Sequence, residues 1–167
     1  TPSQEENLWM PVQTRRGCPL SCSYCSTEVI EGRVMRRHSP EAIVQWMARW
    51  RRAGIRQFYF VDNTFNLPPS YAKKICRNLI GHGLNIRWWS ILYPKQVDKE
   101  LVGLMAEAGC EQVSIGFESG SERILKNMNK RFTPKEVHQI SERLSEYGIR
   151  RMGFLLLGSP GETRESV

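Results

Sequence analysis

Four stretches of the chain repeat one plan: a helical segment, a glycine, then an apolar run. They read RRAGIRQFYFVD, GHGLNIRWWSILY, EAGCEQVSIGF and EYGIRRMGFLLLG. Gly54, Gly83, Gly109 and Gly148 fall where a left-handed helix C-cap belongs. The runs behind them are short and rich in Ile, Val, Phe, Tyr and Trp, which suits strands buried in a parallel sheet. The segments before the glycines have helical periodicity and recognisable starts. Ser39 is placed to cap a helix that opens on Pro40. Thr133 and Glu136 have capping-box spacing, Asp98 can cap the helix over KELVGLMAEA, and Ser119 with Glu122 gives a second box pattern. MPVQT, ahead of all of these, is the first strand. The plan predicts an α/β fold of parallel strands with outer helices.

The repeat fits a barrel wall better than a doubly wound sheet. Five strands do not close such a barrel, so the chain is expected to be a truncated piece. Residues 1–10 are a lead-in and residues 11–167 the core. An unpartnered last strand, around GFLLLG, would leave an open edge through which chains could self-associate.

Composition excludes some classes and leaves others open. The 167 residues carry 24 Lys and Arg against 17 Asp and Glu, for a formal charge of +7. Nucleic acid or an anionic substrate would suit that charge. The basic residues come as scattered pairs such as Arg51–Arg52 and Lys73–Lys74, which solvated helix faces also explain, so nucleic acid stays open. No apolar run approaches the ~18 residues of a membrane span, and TPSQEENLW is not a signal peptide. Five cysteines with no secretory signal point to a reducing, cytoplasmic setting, where cysteine more often binds metal or reacts than cross-links.

In parallel α/β architectures, ligands gather at the carboxyl ends of the strands. Here those ends carry RRGCPLSCSYCST, VDNTFN, LYPK, FESGS and GSPGE. The first holds Cys18, Cys22 and Cys25 in a C-x3-C-x2-C run. Three thiolates on one loop can hold three irons of a 4Fe–4S cube and leave the fourth iron open. A zinc site completed by His38 or Cys110, in a non-enzymatic binding module, is the other reading of that spacing. Cys76 and Cys110 sit in apolar surroundings and read as buried small hydrophobes.

The cysteine run, with Tyr24 just before its third member, resembles the signature of the radical S-adenosylmethionine (radical SAM) superfamily. VDNTFN, IGFESGSERILKNMNK and LLLGSPGET resemble further motifs of that family, in the same order. The branch that often carries a cobalamin-binding domain is the most similar. The resemblance covers the chain from Pro11 onward and implies a partial (β/α)6-type barrel that stops before its sixth strand. It implies a 4Fe–4S cluster on Cys18, Cys22 and Cys25 that reductively cleaves S-adenosylmethionine. The resulting 5′-deoxyadenosyl radical serves hydrogen abstraction or methyl transfer. Tyr24 would lie against adenine, Asp62 and Asn63 near the amino group, Glu118 on the ribose hydroxyls, and Lys130 on the carboxylate. Plainer readings stand beside these: Tyr24 packing the loop, Asp62 and Asn63 forming a turn, and Arg131 competing with Lys130. Phe154 departs from relatives that carry an acid there. The resemblance also implies a reducing partner such as flavodoxin or ferredoxin, and cobalamin in a full-length protein. A methylthiotransferase acting on tRNA or a ribosomal protein is the nearest alternative reaction.

Overall fold

The computed structural model describes residues 8–167. In chain order its elements are β1 (Trp9–Val12), β2 (Arg15–Arg16), α1 (Thr27–Glu31), β3 (Arg36–Arg37), α2 (Pro40–Arg52), β4 (Gln57–Phe60) and α3 (Pro69–Gly81). Then come β5 (Arg87–Leu92), α4 (Lys99–Glu107), β6 (Cys110–Glu118), α5 (Glu122–Asn127), α6 (Pro134–Glu146) and β7 (Arg150–Leu155). A turn of 3-10 helix follows at Arg164–Ser166.

Five strands form one parallel sheet in the order β1-β4-β5-β6-β7. A doubly wound sheet reverses its strand order at a switch point. This sheet never reverses, and α2, α3, α4 and α6 pack side by side along it. It is therefore a barrel wall whose edge strands, among the described residues, are β1 and β7, as the repeat predicts. β7 is exposed along its whole length. The strand pairing starts at Trp9, opposite Gln57. Trp9 and Met10, within the expected lead-in, thus pair in the sheet; residues 1–7 lie outside the described residues.

The core lies between sheet and helices. Val44 and Met47 of α2, Ile75 of α3 and Leu101 and Met105 of α4 meet Phe58, Phe60, Trp88 and Val113 of the strands, all at 0% exposure. Trp88 packs against Phe60 and Phe65 with ring centroids 5.0 and 5.1 Å away, and its indole nitrogen donates to Ala108 O at 2.8 Å. Its neighbour Trp89 faces the other side of the sheet, packed against Trp9 with ring centroids 4.1 Å apart and the planes tilted by 42°. Side-chain alternation along a strand requires that split, so only Trp88 joins the main core.

The helix starts follow the sequence with one exception. Ser39 accepts from Ala42 N, Asp98 from Leu101 N, and Thr133 with Glu136 closes a capping box. The expected Ser119–Glu122 box is absent. α5 is capped at Ser121 without a side-chain bond, and Ser119 Oγ accepts from Ser121 N inside the preceding turn. A serine in a tight turn satisfies the nearest amide first.

All four repeat glycines take positive φ. Gly109 is the most constrained, at φ 91°, because a Cβ there would press into the Ile86 carbonyl oxygen. Gly109→Ala combines that clash with an unfavourable backbone conformation. It should cost about 3 kcal/mol, read by denaturant unfolding. Gly54→Ala, with nothing within 4 Å of its Cβ, should cost about 1 kcal/mol.

Candidate active site

The loop from β1 to α2 holds the cysteines, and buried polar contacts fix its shape. Gly17, at φ 92°, lies flat against the Val34 carbonyl, where no Cβ fits. Gly17 N donates to Glu31 Oε2 at 3.0 Å, and Cys18 N donates to Gly32 O at 3.0 Å. β2 and β3 pair antiparallel and close the loop's base. Two residues of arginine in each strand give no periodic apolar signal, so neither the ribbon nor α1 was visible in the sequence.

At the carboxyl ends of the strands this loop faces a cavity of about 160 Å³. Cys18, Cys22 and Cys25 line it together with Tyr24, Asn63, Glu118, Lys130 and Phe154. Cys18 is buried, Cys22 half-buried and Cys25 exposed. Burial pushes the Cys18 and Cys22 thiols up, and the Lys130 ammonium works against that at Cys22. Neither alternative fourth ligand reaches the cavity. Cys110 is 6% exposed within the core between sheet and helices, and His38 is an exposed residue outside the lining. Cys76 is fully buried within that same core, its thiol pushed up by burial.

Opposite the cysteines sits a compact charged group. Glu118 Oε1 accepts from Tyr24 OH at 2.9 Å and from Lys130 Nζ at 3.3 Å. Burial first, and then the bond to the Glu118 carboxylate, push the Tyr24 phenol well above its ordinary range. The Lys130 side chain is only 5% exposed. Its ammonium lies 5.2 Å from the Tyr24 ring, 5.7 Å from Phe132 and 5.9 Å from Tyr93, within reach of cation–π attraction. Arg131 is exposed and does not line the cavity, whereas Lys130 does. Glu118 itself adopts φ 64°, at a break in the β6–β7 register.

Asn63 is on the rim, its Nδ2 donating to Glu31 Oε2 at 3.1 Å. Asp62 is not. It is 1% exposed and turned inward. Its Oδ1 accepts from Thr14 N at 2.8 Å and Arg15 N at 3.1 Å, and its Oδ2 from Thr14 Oγ1 at 2.6 Å. The Asp62 carboxylate is thus turned away from the cavity, with both oxygens already engaged by protein. Arg15 lies alongside, 3.8 Å from Asp62 Oδ2 and 4.7 Å from the Tyr71 ring, donating to Phe65 O at 2.8 Å and also to Leu67 O. Burial pushes the Asp62 carboxyl up and the Arg15 guanidinium down, each offset in part by the other charge.

Two contributors were missed by sequence reasoning. Tyr93 accepts from Arg131 N at 2.8 Å and is itself fixed by Asn66, which bonds both its amide and its carbonyl. Its place at the end of an apolar run was the available signal. Glu31, which ties Gly17 to Asn63, lies in an aperiodic stretch that gave none. Phe154, 42% exposed, forms the β7 wall. A second cavity of about 230 Å³ shares Tyr24 and is lined by Leu156, Leu157, Gly158 and Ser159. The buried Ser159 hydroxyl has no hydrogen-bond partner among the described residues.

Comparison with known proteins agrees with this geometry. Residues 12–167 match the Radical SAM superfamily. An uncharacterized methyltransferase of Pyrococcus horikoshii is 32% identical over 157 residues, covering 93% of this chain and 34% of its own length. A tRNA-2-methylthio-N(6)-dimethylallyladenosine synthase of Geobacter sulfurreducens is 28% identical over 165 residues, covering 92% and 37%. The radical SAM methyltransferase TsrM of Kitasatospora setae, solved with tryptophan substrate and a SAM analogue, superposes with a TM-score of 0.90 at 25% identity. That match covers 97% of this chain and 33% of TsrM. TsrM has also been solved with cobalamin and a [4Fe-4S] cluster bound. This chain spans about a third of the length of these proteins. The barrel wall, the all-sulfur donor set on its cysteine loop and the match across nearly the whole sequence agree: the chain belongs to the radical SAM superfamily.

Proposed function

We propose that the chain is the cluster- and SAM-binding core of an enzyme that transfers a methyl group, with cobalamin held by a further part of a longer protein. The observation that carries this is the single cavity shared by Cys18, Cys22, Cys25, Glu118 and Lys130. Three thiols on one wall suit a cluster with one open iron. When bound, that cluster supplies the electron that cleaves the sulfonium of S-adenosylmethionine. The residues present divide the remaining work. The Lys130 ammonium, nearly shielded from water, offers a counter-charge for the methionine carboxylate. Glu118 offers acceptor oxygens to the ribose hydroxyls once Tyr24 releases it, and Tyr24 offers its ring to adenine. The second cavity, which shares Tyr24 and has an unpartnered Ser159 hydroxyl, supports a place for the base there. The similarity to TsrM favours methyl transfer, with the cobalamin reading resting on that enzyme. The synthase of Geobacter sulfurreducens keeps methylthio transfer as the second reading. No helix of the described residues is long and apolar enough to cross a membrane.

Binding of S-adenosylmethionine to the reconstituted chain tests the reading. Glu118→Ala and Lys130→Met should each weaken binding by about 1–3 kcal/mol, the usual cost of a lost charged hydrogen bond. Lys130→Met should leave the affinity for methylthioadenosine, which lacks the carboxylate, unchanged. Equal affinity of wild type and both variants for S-adenosylmethionine would remove this pair from the site.

A further inference from the structure

The cysteine loop has an outer face as well as an inner one. α1 buries none of its residues. Val29, Ile30 and Val34 are 88%, 77% and 73% exposed, more than any other large apolar residue among those described. Folding gains nothing from three such side chains in water, and apolar patches of this kind mark contact surfaces. The same loop carries three arginines, Arg16, Arg33 and Arg36. Arg16 and Arg36 are direct cross-strand partners in the β2–β3 ribbon. Like charges in that position are destabilising. Among the described residues neither forms an ion pair: Arg16 donates to Gln13 Oε1 at 3.1 Å and Arg36 to Glu31 O at 2.9 Å. Arg33 pairs with Glu28 at 3.2 Å, yet its side chain stays 61% exposed. The fold gives no reason to place this charge here.

The patch is continuous with the sulfur-bearing loop. Cys25 is exposed, and its Sγ lies 3.2 Å from Oγ1 of Thr27, the first residue of α1. Cys18 N is bonded to Gly32 O, at the far end of the same helix. The inner face of the loop is taken up by the cavity, so an electron from outside has its most direct protein contact here.

We infer that Val29, Ile30 and Val34, with Arg16, Arg33 and Arg36 on the same loop, form the docking surface for a small acidic one-electron carrier protein. The inference rests on the cluster reading above. An apolar patch with charged residues on the same loop suits a transient redox interface, and its charge is opposite to that of the carrier. In the transfer, the carrier loses one electron and the 4Fe–4S cluster passes from the 2+ to the 1+ state. No bond forms or breaks and no proton moves.

The probe is a flavodoxin, in two measurements. Binding of oxidised flavodoxin to the cluster-free chain is followed by flavin anisotropy. Bleaching of the reconstituted cluster is then followed with flavodoxin hydroquinone or dithionite as reductant. Arg33→Glu with Arg36→Glu should lower both affinity and flavodoxin-driven rate by about tenfold at low salt, where steering is strongest. Val29→Ser with Ile30→Ser should lower affinity by about fivefold, the loss of two partly buried aliphatic contacts. Dithionite bleaching should be unchanged in all variants. Unaltered flavodoxin affinity and rate in both double variants would overturn the inference. It would equally fail if the variants lose only binding to a single-stranded RNA, or only a concentration-dependent dimerisation. A chain that takes up no cluster yet binds flavodoxin through these residues would sink the cluster reading and keep the docking surface.

Discussion

Alanine at Cys18, Cys22 or Cys25 should leave a colourless protein after anaerobic reconstitution, whereas wild type takes up about four irons and bleaches with dithionite. Each replacement leaves two thiolates, too few to hold a cube against its open corner. The three sulfurs share one cavity, so the losses should be alike in kind. Cys25 is the most exposed, and the folded chain tolerates its removal best, so Cys25→Ala should unfold at the wild-type temperature while losing all iron. Cys76→Ala and Cys110→Ala should behave in the opposite way. Both are buried in the core, so they should lower stability by about 1 kcal/mol and leave iron and sulfide unchanged. Iron content with melting curves separates these outcomes. Retention of four irons in any of the first three variants would remove that residue from the ligand set.

The second large effect is expected at Asp62. Asp62→Ala strips the acceptors from Thr14 N, Thr14 Oγ1 and Arg15 N, and leaves the 3%-exposed Arg15 charge without its partner. Breaking one side of a buried pair costs about 3–5 kcal/mol. In a domain of this size that is about 10 °C in melting temperature. Combining Asp62→Leu with Arg15→Met should recover much of the loss, because two buried charges leave together. A cofactor contact by the Asp62 side chain would give the reverse pattern: unchanged melting and weaker binding of S-adenosylmethionine.

Much of this architecture was legible because it depends on repetition. Four glycines in one context fixed the helix ends, and Ser39, Asp98 and Thr133 fixed three starts. The strand order followed from alternation of the two elements. That Cys18, Cys22, Cys25 and Glu118 line one cavity was legible because strand ends have no structural need of such side chains, while Lys130, between α5 and α6, was pointed to only by the family resemblance. The Asp62 side chain lies off the cavity for an instructive reason. A carboxylate after a strand reads as rim chemistry, but the adjoining loop of β1 offered it two amides and a hydroxyl, and these turned it inward. What stayed hidden was local and aperiodic: the arginine ribbon, α1, and Glu31, whose role depends on a fold-back that no spacing announces. Tyr93 was in view at a strand end. Its part emerged only when Asn66 and Arg131, 27 and 38 residues away in sequence, closed around it.

The left-handed backbone at Glu118 carries a consequence for how this protein can change over time. A non-glycine residue held at φ 64° costs of order 1–3 kcal/mol that glycine would largely avoid. Selection on folding alone would drift this position toward glycine, the cheapest residue for that conformation. Such a drift would free Tyr24 and Lys130 from their shared carboxylate while leaving the barrel wall intact. Glutamate at this position is therefore a marker: among descendants of this chain, its loss would show which lineages keep the fold after giving up the chemistry.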